Sequence, residues 1–392
     1  MIASRPLQGC IKCVLDTHDV PDLQLDEHGV CQYCHRFEKE YLNNQLSEAE
    51  KKHRLDAMIR TIQKAGKGKE YNCILGLSGG VDSSYMAYKA KEWGLKPLIV
   101  HFDNGWNTEL AVKNIESIIS FTGFDLHTHV VNWEEFRSLQ LAYIHSGVLD
   151  WEVPTDHGFM GALFRAARKK GIRHILTGSN HQTEGILPKC MTSNKDDSIN
   201  ILDIAQKFGA KAFKTYPFVG PLRHIYYTEI YGFLRHAPLN WVDYHKDGAK
   251  ETIIRETGWR DYGGKHYESV FTRFYQGYVL PVKYGIDKRK AHFSSLINSG
   301  QMTRDEALEL LKVDPYGNEE LKWQDFEFVA KKLGMSQDEL HGILAAPPVP
   351  HHHYRTIGDT PYPSLRRQVK LGKYYTASQT WKRKLRSLLR NH

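Results

Sequence analysis

The 392-residue chain has no run of about 18 apolar residues, so nothing in it reads as a membrane-spanning helix. Its beginning, MIASRPLQGCIKC, lacks an apolar secretory core, which points to a cytoplasmic protein. Internal repeats and extended low-complexity segments are also missing. A hydrophobic fraction of 41% with 25% charged residues further sets aside a disordered or collagen-like chain. Cysteine is scarce, at six residues. The basic excess is local: from His351 to His392 there are ten Lys/Arg against one acid, Asp359, so the formal charge of +8 belongs to that tail. A chain-wide basic groove for nucleic acid is therefore not indicated.

What is present divides into parts, as the length leads one to expect. Residues 1–45 hold two cysteine pairs. Residues 46–225 alternate short apolar runs (71–77, 96–102, 126–131 and 173–177), the second and third read as buried, with helical stretches, the pattern of a mostly parallel sheet wrapped by helices. Beyond about Pro221 the strands are expected to stop. Residues 226–350 read as helical, with stretches at 228–234, 249–257, 267–278 and 288–298 and capping boxes at Thr303/Glu306 and Ser336/Glu339. Residues 351–392 form the basic tail. The fold class is thus α/β, doubly wound, with an N-terminal metal module and a helical C-terminal region.

The run 71–77 leads straight into Ser78-Gly79-Gly80-Val81-Asp82-Ser83-Ser84 and a helix. Two glycines let the backbone approach an anion, and successive N–H groups can form a nest at the helix N-terminus. Ser78, Ser83 and Ser84 add hydroxyl donors. Asp82 would repel bare phosphate, and it makes sense with Mg²⁺ bridging carboxylate and phosphate. The string is neither a Walker loop nor G-x-G-x-x-G. It resembles the SGGxDS loop of the PP-loop ATP pyrophosphatases. That resemblance implies ATP as substrate, with pyrophosphate held by the loop and attack at the α-phosphorus. Phe102 and Asp103, ending the second run, and Gly178 and Asn180, in Thr177-Gly178-Ser179-Asn180, agree with a nucleotide site at the carboxyl ends of the strands.

Cys10-x₂-Cys13 and Cys31-x₂-Cys34 have the two-knuckle spacing of a Cys₄ zinc site, closed and therefore structural. Four thiolates are also compatible with an iron–sulfur cluster. His35 adjoins the last cysteine but is not needed as a ligand.

Between Gly258 and Asp305, basic residues interleave with aromatics in GWRDYGGKHYESVFTRFYQGYVLPVKYGIDKRKAHFSSLINSGQMTRD. Together with the cysteine pairs and SGGVDSS, this string resembles the N-acetyl sugar amidotransferase family of bacterial surface-polysaccharide biosynthesis. The resemblance implies conversion of a sugar acetamido group to acetamidino with ATP and ammonia. It also implies a separate glutaminase subunit and an ammonia-conducting partner, and it makes Lys265, His266, Lys288 and Arg289 substrate or pyrophosphate contacts. No Cys-His glutaminase arrangement is visible, since Cys73 lies in a strand and Cys190 has no nucleophile-elbow context.

Two other readings compete. PP-loop tRNA-thiolating enzymes join cysteine pairs to SGGxDS, but they need a sulfur-handling cysteine set where this chain has only Cys73 and Cys190. A non-catalytic zinc-ribbon interaction protein is the other, and the retained Asp82 speaks against it. In the tail, Trp381, Leu385, Leu388 and Leu389 fall on one face of a basic amphipathic helix. Such a helix could lie on an anionic membrane surface, although packing on protein is the commoner use.

Overall fold

The computed structural model of the protein describes residues 7–264 and 267–375. A cysteine module leads into α1 (Gln32–Phe37) and then α2 (Glu48–Ala65). At the start of α2 the Ser47 hydroxyl accepts the Glu50 N–H, and the Glu50 carboxylate accepts the Ser47 N–H.

The four apolar runs become β1 (Cys73–Gly76), β2 (Pro97–Asp103), β3 (Leu126–Val130) and β4 (His174–Leu176). A fifth strand, β5 (Leu234–His236), extends the sheet, whose order is β3-β2-β1-β4-β5 with every pair parallel. From β1 the chain builds outward through β2 to β3, then crosses back to β4 on the other side. The order reverses between β1 and β4, and that reversal opens a crevice at the carboxyl ends of the two strands.

Helices cover both faces. Cys73, Leu75 and Ile99 point to a core shared with α2, α3 (Val81–Glu92) and α4 (Glu109–Thr122). Ile74, Leu98 and Val100 point the other way, onto Leu163, Phe164 and Ala167. These three belong to α6 (Val153–Lys169), which follows α5 (Trp133–Ser146). Next come α7 (His181–Glu184), α8 (Ser198–Lys207), α9 (Pro221–Ile225) and α10 (Lys246–Thr257), the last packed on α3.

The C-terminal part is helical: α11 (Val270–Phe274), α12 (Leu280–Tyr284), α13 (Arg289–Asn298), α14 (Arg304–Leu311), α15 (Glu319–Leu333), α16 (Gln337–Ala345) and α17 (Tyr362–Tyr375). The capping box at Thr303 and Glu306 is present, and at Ser336 the hydroxyl accepts the Glu339 N–H. No described helix is long and apolar enough to cross a membrane.

Three expectations are corrected. Strands do not stop near Pro221, because β5 pairs with β4. The stretch 228–234 is not one helix: a π-helical turn over Tyr226–Tyr231 ends at Gly232, and the chain leaves it as a strand. The run 126–131 is no buried strand either. β3 is a sheet edge, and Leu126 and Val130 are exposed. The amphipathic pattern from Trp381 lies outside the described residues.

Two consequences can be measured. A Cβ at Gly161 would sit 1.7 Å from the Pro217 carbonyl oxygen, so Gly161→Ala must push α6 off the 217 segment. We expect a loss of about 1–3 kcal/mol or more in denaturant titration. Burial lowers the pKa of His101, His129, His157, His174, His181 and His236, the last to about 4. These groups stay neutral when folded while the unfolded chain takes up protons near about pH 6.5. Stability from them is present above that pH and is lost as pH falls, so Tm should drop steadily on acidification from neutrality toward about pH 5.

Candidate functional site

The loop after β1 sits at the crevice. Ser78 and Ser83 hydroxyls lie 3.2 Å apart, the Ser78 N–H donates to Ser83 Oγ, and the Gly80 N–H donates to Ser78 Oγ. Gly80 is the N-cap of α3 and has no side chain to occupy the first-turn N–H groups. The helix dipole adds positive potential there, so the arrangement can take an anion. Val81 opens the helix, half buried. Ser84 differs from expectation, because its hydroxyl is enclosed and without a partner instead of facing the loop.

Asp82 ties neighbouring segments to this loop. Its Oδ1 accepts Asn180 Nδ2 at 3.1 Å and also the Tyr244 hydroxyl. Burial first, then the Asp82 charge, pushes the Tyr244 phenol far above its ordinary pKa, so it remains a donor. Gly178 lies so close that a Cβ there would be 2.7 Å from the Asp82 carbonyl carbon. Asn180 also caps α7, accepting the Thr183 N–H.

From the other side, Trp259 Nε1 and the Tyr262 hydroxyl both donate to the Gly79 carbonyl, at 2.7 and 2.8 Å. The Glu268 carboxylate reaches the loop at Gly80, 3.4 Å from where a Cβ would stand. Tyr244, Trp259, Tyr262 and Glu268 do not stand out in the sequence. The density of aromatics in 258–269 is the available signal for two of them, Trp259 and Tyr262.

The end of β2 frames the next part of the crevice. The His101 Nδ1–H donates to the Leu77 carbonyl, and its Nε2 accepts the Asn107 amide. Burial holds this imidazole neutral. Asp103 accepts from the Gly105 N–H and the Asn107 amide. Phe102 is buried against His129 and Phe136, so only its backbone faces the crevice end. Asn104 turns to Thr155 on the first turn of α6.

That turn opens onto a second charged group of residues. Lys195 Nζ lies 2.6 Å from Asp150 and 2.9 Å from Asp156, while Glu152 accepts from Thr272 at 2.5 Å and Gln276 at 3.3 Å. Burial, with Asp156 nearby, raises the Glu152 pKa. Burial alone would lower Lys195, but Asp156 and Asp150 carry it upward. No local spacing in the sequence announces this set.

The cysteine quartet is assembled and buried. Sγ–Sγ distances are 3.9 Å for Cys10–Cys34, 3.8 Å for Cys13–Cys31 and 3.7 Å for Cys31–Cys34. A tetrahedron with metal–sulfur bonds of about 2.3 Å has edges of about 3.8 Å, so the donors fit one ion. Several irons with sulfides between them would need wider spacing. The Cys13 and Cys31 N–H groups and Asn298 Nδ2 donate to these sulfurs. His35 instead meets Asp26 at 2.7 Å.

Comparison with known proteins bears on the helical part. Residues 268–367 match a family model described as "LPS biosynthesis protein WbpG-like, C-terminal domain". Over those residues the helical part is similar to that family. A 7-cyano-7-deazaguanine synthase from a Nitratiruptor species is 27% identical over 163 residues, covering 38% of this chain and 71% of that protein. Among solved structures, an NMN synthetase from Francisella tularensis aligns at 14% identity and TM-score 0.27, covering 54% of this chain and 97% of that one. An NAD⁺ synthetase from Burkholderia pseudomallei aligns at 13% and 0.28, covering 59% and 94%. TM-scores this low leave the fold to rest on the strand order above. The chain resembles a PP-loop amidotransferase family of polysaccharide biosynthesis, as its motifs indicate.

Within the WbpG-like segment, Arg289 is engaged with Asp287 and the Leu310 carbonyl. Lys288 is the N-cap of α13, and its charge acts on Asp150 and Glu152. Lys265 and His266 lie outside the described residues. For the metal centre, elemental analysis of the purified chain should find one tightly held divalent ion, and Cys34→Ser should release it and lower Tm.

Proposed function

We propose that this chain is an ATP-dependent PP-loop ligase of lipopolysaccharide biosynthesis that converts an acetamido group of an activated N-acetyl sugar into an acetamidino group. The observation that carries this reading is the SGGVDSS loop, held at the strand-order reversal by Asp82, in one chain with a WbpG-like segment.

An amide oxygen is a poor leaving group until it is activated. Its attack on the α-phosphorus of ATP forms an O–P bond and expels pyrophosphate, leaving an O-adenylyl imidate. Ammonia then adds to the carbon, and the C–O bond breaks with AMP departing. The amide oxygen therefore ends in AMP. No protein nucleophile is required, only positioning and charge stabilisation.

The N–H groups and hydroxyls of Ser78–Ser83 would cradle the departing pyrophosphate. Asp82 and Glu268 are the carboxylates at the loop that could hold Mg²⁺, an ion that takes one or two carboxylates and fills its shell with phosphate oxygens and water. Bound there, it would neutralise charge developing on the phosphates. The group of Asp150, Glu152, Asp156, Lys195 and Lys288 would face the acceptor beside Asn104. We take the cysteine-bound ion as zinc. Ammonia would come from a separate glutaminase subunit through a conducting partner.

The thiolation alternative is disfavoured by the cysteines. Burial pushes the Cys73 thiol up, and it pushes Cys190 to about 11, so neither is a ready sulfur nucleophile at neutral pH.

Incubating the chain with ATP, Mg²⁺, ammonia and an acetamido nucleotide sugar labelled with ¹⁸O in its acetyl group tests the mechanism. We expect AMP carrying ¹⁸O, pyrophosphate in equal amount, and a sugar that has exchanged oxygen for nitrogen. Label-free AMP would exclude it. Asp82→Ala should lower the rate by about 10²-fold or more.

A further inference from the structure

We infer that Gln301 and Asn298 are positioning residues that couple the cysteine-bound metal to the nucleotide loop, an inference that rests on reading Ser78–Ser84 as the nucleotide site. The connecting element is α13, which is seated on both flanks by hydrogen bonds. Its buried side chains include Ser294, Ser295 and Asn298, polar groups where a helix in a core would normally carry apolar ones. Apolar packing is non-directional, whereas hydrogen bonds fix both distance and angle, so this helix can pass a displacement from one flank to the other.

One flank faces the metal module. Asn298 Nδ2 donates to Cys34 Sγ at 3.3 Å, and the Val14 N–H donates to Ser294 Oγ at 3.4 Å. Lys290 pairs with Asp16 at 2.6 Å and with Asp19. Just past the helix, Arg304 donates to the Cys13 and Cys10 carbonyls.

The opposite flank faces the loop's supports. His292 Nδ1–H donates to the Thr183 carbonyl, the Ile186 N–H donates to Ser295 Oγ, and Ser299 Oγ donates to the Gln182 carbonyl. These bonds hold α7, whose cap, Asn180, donates to Asp82. After the turn at Ser299–Gly300, the Gln301 amide clamps a second support. It donates to the Tyr244 carbonyl at 2.9 Å and accepts the Lys246 N–H at 3.0 Å, leaving the Tyr244 hydroxyl on Asp82.

Asn180 and Tyr244, two donors on the Asp82 carboxylate, are thus steered from a helix whose far side rests on the cysteines. An ion drawing the four sulfurs together fixes that far side, and its loss loosens the seat of α13. Linkage then requires reciprocity: whatever factor metal adds to ATP affinity, ATP adds to metal affinity.

The test uses the full chain loaded with Co²⁺, whose thiolate charge-transfer band reports the Cys₄ site. Cobalt affinity is measured by equilibrium competition with a chelator, with and without MgATP, while ATP binding to the loaded chain is followed separately by equilibrium dialysis. We expect ATP to tighten cobalt about fivefold or more. In Gln301→Ala the band should persist, ATP should bind more weakly, and the tightening should vanish. Asn298→Asp, which places a carboxylate beside the sulfur, should shift the band as well as weaken ATP. ATP that binds the loaded chain without changing cobalt affinity would overturn the coupling alone, as would Gln301→Ala with its coupling intact. No ATP binding to the loaded chain would overturn both the coupling and the nucleotide reading.

Discussion

The carboxylate of Asp82 is where separate parts of the chain are made to agree. It projects from the first turn of α3, and its Oδ1 receives donors 98 and 162 residues further along the sequence. Each donor sits in a segment with little regular structure: a four-residue helix after β4 and a loop before α10. Without the shared acceptor, a buried phenol and a buried amide would each lose a partner, at a cost exceeding the worth of an ordinary hydrogen bond. The crevice owes its shape to that convergence as much as to the sheet. Parallel strands supply the position, and the carboxylate supplies the closure.

The cysteine module does not stand apart from this. Cys10, Cys13, Cys31 and Cys34 share a buried cluster with Phe37, Phe136, Phe274 and Phe326, so the module completes a core drawn from α5, α11 and α15. Small metal-bound modules often fold alone on the strength of their ligands. The cysteine module instead has partners along α13 and at Arg304, and α13 itself contacts both α1 and α7. The C-terminal helices therefore act as packing between two sites, not as an appended domain.

The legible features were those with local causes. Glycine and serine after an apolar run announce a phosphate-type turn because the requirement is met within seven residues. The paired cysteines are equally readable, since two ligands on one tight turn fix the spacing. β5 was hidden because three residues, Leu234–His236, offer no period to detect, and they become a strand only because β4 has an open edge. Tyr244, Glu268, Asp150, Glu152 and Lys195 were hidden for a different reason. Each is ordinary in its own neighbourhood and acquires chemistry only from residues distant in sequence. Ser84 shows the converse, where a motif position predicted to face the loop is turned into the core.

The union of the cysteine module with its seat has a bearing on how the protein is made. Arg304 reaches Cys10 across 294 residues, and Asn298 reaches Cys34 across 264. During synthesis the thiols leave the ribosome well before their docking surface exists, and closing so long a loop is slow. In that interval only a bound ion would hold the quartet together. Early capture of metal would shield the sulfurs from oxidation and mispairing until the last helices arrive to cover them.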